Sequence, residues 1–213
     1  AAGMRSMVND ARADGYDWTN VDAAKAKENI TSLVKEVGNK PGVFGYFLDD
    51  EPNASQFAGL GTVSKLLHEI APSKVAFINL LPNYATAGQL GTATYPDYLD
   101  KFADGCAPTI YCYDHYALLD NGTLRSEYWA NLEAMRTASI KHKIPFWNTV
   151  LSCAHFSYRE PTAADFLFQA YTTLAYGGRG LAYWKYFAPE VGNYRASPID
   201  QFGHQTPTYG RLR

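Results

Sequence analysis

The chain has 213 residues, of which 46% are hydrophobic and 19% charged, and its formal net charge is −2. That balance excludes a disordered tail, a collagen or coiled-coil rod and a disulfide scaffold, and it predicts one domain over 1–213 with a real core. The near-neutral charge gives no electrostatic footprint for nucleic acid or an anionic membrane. No apolar run approaches the ~18 residues of a membrane span, so neither partner is expected. Sixteen Tyr against 11 Phe point to rings that must stack and hydrogen-bond at once.

Short apolar runs alternate with amphipathic segments along the chain. The first run is Met4–Asn9. Asp22–Val37 follows as a helix, with Ala26, Ile30, Leu33, Val34 and Val37 on one face and Asp22 as its cap. Val43–Leu48 reads as a strand, Ala54–Ile70 as a helix, Val75–Leu80 as a strand and Tyr95–Ala103 as a shorter helix. Thr109–Tyr113, Phe146–Leu151 and Gly180–Tyr186 complete six strands. The helices Ser126–His142 and Thr162–Tyr176 lie between them, capped by Ser126 and Thr162. Pro41, Pro72, Pro108 and Pro145 stand just before strands, where a helix must already have ended. Gly38, Gly177 and Gly178 read as helix C-terminal glycines.

Near-continuous apolar strands separated by helices predict a parallel sheet covered by helices, an α/β fold. A doubly wound sheet calls for a glycine-rich phosphate turn after its first strand. The chain has Asn9-Asp10-Ala11-Arg12 there instead. A (β/α)8 TIM-type barrel places polar residues at the C-terminal ends of several strands. That pattern is present at Asp49-Asp50-Glu51, Asn79, Asp114-His115-Tyr116, Ser152 with His155, and Trp184-Lys185-Tyr186. Six βα units rather than eight make it a partial barrel, two units short.

The most informative stretch is Gly45-Tyr46-Phe47-Leu48-Asp49-Asp50-Glu51-Pro52. A buried strand runs into three acids, which cannot all remain in a core. Their mutual repulsion raises at least one pKa, and a raised carboxyl pKa suits a general acid. The competing explanation is a helix cap at Asp50 or Asn53. In Tyr111-Cys112-Tyr113-Asp114-His115-Tyr116, alternating aromatics end at an Asp-His pair. Ala182-Tyr183-Trp184-Lys185-Tyr186 supplies rings that could floor a sugar subsite or fill a core. Cys106, Cys112 and Cys153 read as small buried residues, against the alternative of a Cys153–His155 nucleophile pair. A Ser152–His155–Asp114 triad lacks the Gly-x-Ser-x-Gly turn.

A strand ending in acid-Glu-Pro resembles the fourth strand of clan A glycoside hydrolases, (β/α)8 enzymes in which that Glu is the acid/base. The ordered set GYFLDDEPN, FINLLPNY, YCYDHYALL and FQAYTTLAYGGRGLAYWKYF is similar to family-42-like bacterial glycoside hydrolases, from about Met4 to the C-terminus. The resemblance makes the six strands barrel strands three to eight and implies cleavage of glycosidic bonds in an oligo- or polysaccharide. It assigns Glu51 as general acid and puts Asp50 where the family has an Asn that meets the sugar 2-hydroxyl. The family's seventh strand ends in a nucleophilic Glu. This one ends in Leu151-Ser152-Cys153-Ala154-His155, leaving Asp114 as the second carboxylate. A carboxyl separation of about 5–5.5 Å implies retention and about 6.5–9.5 Å inversion. Asn79, His115, Tyr116, His155, Trp184 and Tyr186, with Asp50, are expected to hold the sugar.

Two rivals stand beside this expectation. One is a catalytically inactive carbohydrate-binding barrel, favoured by the missing Glu. The other is a metal-dependent sugar isomerase or hydrolase using Asp50, Glu51, Asp114, His115 and His155. No tight ligand spacing supports that second rival, so no metal and no cofactor are expected. Open edges at Met4–Asn9 and Gly180–Tyr186 predict a homo-oligomer. A polysaccharide substrate would favour a secreted or periplasmic compartment.

Overall fold

A computed structural model describes residues 5–190 and 192–212. In chain order the elements are β1 (Ser6–Val8), α1 (Ala11–Asp14), α2 (Ala23–Val37), β2 (Val43–Asp50) and α3 (Phe57–Ile70). They continue with β3 (Val75–Leu80), α4 (Ala87–Leu90), α5 (Tyr95–Cys106), β4 (Tyr111–Asp114) and α6 (Tyr128–His142). Last come β5 (Phe146–Leu151), α7 (Ala163–Ala175), β6 (Gly180–Trp184) and α8 (Pro207–Arg211). Among the described residues the sheet has six strands in sequence order, and the β1–β2, β2–β3 and β5–β6 ladders are parallel. This is the α/β order of a TIM-type barrel, with crossovers linking neighbouring strands.

All six expected strands are present; β3 and β5 have the expected bounds and the other four have shifted ends. β1 is shorter than Met4–Asn9, and Met4 lies outside the described residues. β2 runs two residues past Leu48, so Asp49 and Asp50 belong to the strand. β4 begins at Tyr111 and takes in Asp114. β6 stops at Trp184. Asp22 caps α2 by accepting from the N–H groups of Ala24 and Lys25. Thr162 caps α7 in a reciprocal box with Asp165. The short helices α1, α4 and α8 carry too few turns to show a periodic pattern in sequence.

The chain divides into two compact units. The first runs to Leu81 and includes Ala85–Cys112 and Ala138–Pro145. Its helices pack through Leu60, Val63 and Leu67 of α3, Ile30 and Leu33 of α2, and Tyr98, Leu99 and Phe102 of α5, all buried. Phe57 meets the rings of Tyr98 and Phe102 at centroid distances of 5.2 and 5.5 Å. Gly61 lets α3 come against α5, because a Cβ there would run into the carbonyl of Gly105.

The second unit includes Pro82–Tyr84, Tyr113–Thr137 and the chain from Phe146. Here Tyr116, Leu118, Leu151 and Tyr158 form one buried cluster, with Leu119 and Trp184 against it. Ala117, Tyr128 and Leu132 form another. Gln169 of α7 is fully buried at the end of β5, donating to the carbonyl of Leu151 and accepting from its N–H. A polar side chain survives in this core because both of its amide atoms are satisfied.

Candidate functional site

In the first unit, Asp50, Glu51 and Asn79 come together at the C-terminal ends of β2 and β3. The pairing register of β2 with β3 shifts between Phe47 and Asp49, which sets Asp50 opposite Asn79. Such irregularities re-aim side chains at a strand's end. Asn79 Nδ2 donates to Asp50 Oδ1 at 3.0 Å, and the N–H of Glu51 donates to the Asn79 carbonyl at 2.8 Å. Glu51 has φ of 53°, in the left-handed region that a residue with a Cβ enters at a cost. Its side chain is exposed.

Of the two cap candidates, Asp50 and Asn53, it is Asn53 that caps. It accepts from Ser55 N–H, while the Gln56 side chain accepts from the Asn53 N–H. The pKa of Asp49 is raised. Burial is the main cause, with repulsion from Asp50 a smaller one. Beneath the acids lies Tyr98, whose hydroxyl donates to the carbonyl of Pro52 at 2.7 Å. Burial drives that phenol's pKa upward, and the charge of Glu51 adds to the rise.

In the second unit, Asp114 ends β4 and is 6% exposed, while His115 is completely enclosed. Asn131 Oδ1 accepts from the N–H of Asn83 at 2.8 Å, so it must be the amide oxygen. His115 Nδ1, 2.9 Å from the same oxygen, therefore carries the proton. His115 Nε2 is then a bare lone pair, buried without a partner. Burial lowers the pKa of His115 to about 4, so the ring is neutral at physiological pH.

His155 has the same tautomer, since its Nδ1 faces the carbonyl of Cys153 at 2.8 Å. Burial lowers its pKa also. Its ring sits edge-on to Tyr116 at 5.3 Å and packs against Tyr158 at 5.0 Å. Tyr116 and His155 thus share one aromatic assembly, with Trp184 packed against the Tyr116 cluster. Tyr186 lies apart from it, exposed, its carbonyl accepting from Ile199 N–H at 2.9 Å.

Three residues the sequence did not single out belong to this second group. Arg125 lies over the Tyr84 ring at 4.0 Å and donates to the Tyr158 hydroxyl at 3.2 Å. Tyr194 stacks on His155. Each comes from a loop, where no periodic pattern marks a side chain as inward-facing. The cysteines carry no nucleophile. All three are buried free thiols, and burial pushes Cys106 up to about 12 and raises Cys153. Among the described residues, no three His, Cys, Asp or Glu side chains gather to hold a metal ion, and no helix is long and apolar enough to cross a membrane.

No protein-family model and no curated protein matches the sequence. Solved structures do match. A β-galactosidase from the psychrophilic Marinomonas ef1 superposes with a TM-score of 0.68 over 92% of this chain and 42% of its own, at 9% identity. A β-glucosidase from Thermotoga maritima gives 0.62 over 92% of this chain and 68% of its own, at 10% identity. A Ruminococcus gnavus β-glucuronidase gives 0.58 over 93% and 38%, at 10% identity. This chain therefore spans about two fifths to two thirds of each neighbour. At such identity the likeness is one of fold, a TIM-barrel-type α/β fold shared with glycosidases.

Proposed function

We propose that the chain is a glycosidase, cleaving β-linked or related oligo- or polysaccharides with Glu51 as general acid. The observation that carries this reading is the backbone of Glu51. A non-glycine residue is held in the left-handed region directly after a strand, beside acids that cap no helix. Strain of this kind costs roughly 1–3 kcal/mol and clusters at functional sites. Support also comes from the glycosidase names of the fold neighbours.

In this mechanism Glu51, in the first unit, protonates the leaving oxygen. Asp50 and Asn79, tied by their hydrogen bond, meet sugar hydroxyls. Tyr116, His155 and Trp184 give the ring an apolar wall with a neutral imidazole, and Tyr186 an outlying contact. His115, enclosed behind its loop, acts by fixing Asn131 and Asn83. The assembly is a homo-oligomer.

The test is turnover of Glu51→Gln on aryl β-galactoside, β-glucoside and β-glucuronide and on the matching unactivated disaccharides. Positioned acid catalysis contributes about 10²–10⁴-fold, so the disaccharide rate should fall by that factor and the aryl rate by less. An undiminished disaccharide rate would overturn the assignment.

A second reading, a carbohydrate-binding barrel without catalysis, is favoured by the end of β5. Both Leu151 backbone groups are bound by Gln169, Ser152 is buried, and no carboxylate occurs from Leu151 to His155. Sugar binding without turnover in the wild type would select it.

A further inference from the structure

Lys185 follows directly on β6, in the second unit. Its Nζ lies over the Trp184 ring at 4.7 Å and over the Tyr194 ring at 5.6 Å. Among the described residues, no carboxylate pairs with it and no hydrogen bond engages its ammonium. Two aromatic faces therefore hold the charge in place while its three N–H donors stay available. Lys185 is half-buried as a residue, and a charge taken out of water is costly unless it is compensated.

The surroundings are positive as well. Arg195 pairs backbone to backbone with Ala154, next to His155. Its side chain reaches Glu160 only at 3.5 Å, a loose and solvent-exposed contact. His155 has Tyr194 flat against it, 5.0 Å away and 7° from parallel. The charges of Lys185 and Arg195 both disfavour protonation of His155. The same two cations act on the thiol of Cys153. An ammonium seated on two rings, with no carboxylate partner among the described residues, suits an oxyanion.

We propose that Lys185, supported by Arg195 and seated on Trp184 and Tyr194, reads a carboxylate or sulfate group on the sugar, so that the preferred ligand class is an acidic glycan. This rests on the carbohydrate reading above and narrows it. Neutral sugars leave Lys185 without a counter-charge.

The test is binding of methyl β-glucuronide, methyl β-glucoside and the sulfate ester of methyl β-glucoside to the whole chain, followed by saturation-transfer NMR and Trp fluorescence. Hydrogen bonds to charged groups lead us to expect one anionic sugar to bind about tenfold or more tighter than the neutral one. That preference should shrink with added salt, vanish in Lys185→Met and largely return in Lys185→Arg. Tighter binding of the uronide identifies a carboxylate as the natural group, and tighter binding of the ester identifies a sulfate. Equal binding of charged and neutral sugars, or a preference that survives Lys185→Met in a chain with unchanged circular dichroism, would overturn the acidic-glycan inference and leave the carbohydrate reading standing. Binding of none of the three would overturn both.

Discussion

The backbone N–H of Glu51 donates to the carbonyl of Asn79 at 2.8 Å. This bond continues the β2–β3 ladder one residue beyond the strand, pinning Glu51 where its φ is 53°. The Asn79 side chain meanwhile binds Asp50, so one residue of β3 fixes two acids of β2. The neighbouring chain over-determines the unfavourable conformation, which is the condition under which such conformations persist.

A stability–activity trade-off at Glu51 follows. Glycine occupies the left-handed region without the Cβ penalty of about 1–2 kcal/mol, but loses about 0.5–1 kcal/mol of backbone entropy on folding. Glu51→Gly should therefore leave stability unchanged or raise it by up to ~1 kcal/mol in urea unfolding, while turnover of disaccharides is lost. A variant destabilised by more than ~1 kcal/mol would show that the Glu51 side chain is held for packing.

Acid should weaken the fold through its buried histidines. The pKa of His115 is about 4 in the folded chain, against about 6.5 unfolded. Between those values the unfolded chain binds a proton that the folded one does not, so stability rises with pH across this window and falls on acidification from 6.5 toward 4. The contribution is up to about 3 kcal/mol by the usual linkage. His155 and His68, whose pKa values burial also lowers, act with the same sign. Denaturant midpoints between pH 7 and pH 4 should show this slope. His115→Asn, which keeps a donor toward Asn131, should flatten it. An unchanged slope in that variant would mean His115 does not titrate as its burial implies.

The strands were legible in sequence because each is a near-continuous apolar run, and the helices because their apolar residues recur at helical spacing. The ends were less so. β2 reaches Asp50 because parallel pairing with β3 continues past the last apolar residue, and no residue type announces that. The acids were readable as acids leaving a buried strand. That Asp49 turns inward while Glu51 faces solvent depends on the register shift and a positive φ, neither of which is written in composition. Tyr84, Arg125 and Tyr194 stayed hidden because loop residues carry no period. Lys185 was visible at a strand end, but its lack of a carboxylate partner among the described residues is a property of the fold alone.

Chelation should leave the chain unaffected. Asp114 and His115 are adjacent, but no group of three possible ligands forms among the described residues, and stable divalent sites need several convergent donors. Sugar binding and turnover should be the same with and without EDTA. Loss on chelation and recovery with one divalent ion would promote the metal-dependent isomerase or hydrolase reading.

Self-association is expected through the outer face of α7. Phe166, Gln169 and Thr173 of that helix point inward and are buried. Leu167, Tyr171 and Leu174 form an opposite row, exposed by 57%, 66% and 50%. The spacing i, i+4, i+7 is that of a single helical stripe, normally turned toward a core. β6 ends the sheet order, and its apolar sequence Gly-Leu-Ala-Tyr-Trp is only partly buried. Apolar surface of this extent marks an interaction face, and an obligate interface would bury about 2,000 Å² or more. Sedimentation at micromolar concentration should therefore give a species heavier than one chain. Tyr171→Lys and Leu174→Lys should each return it to the monomer with unchanged circular dichroism, since neither side chain is buried within its own unit. A wild type that sediments as a monomer would show that α7 and β6 tolerate water, and the homo-oligomer would be abandoned.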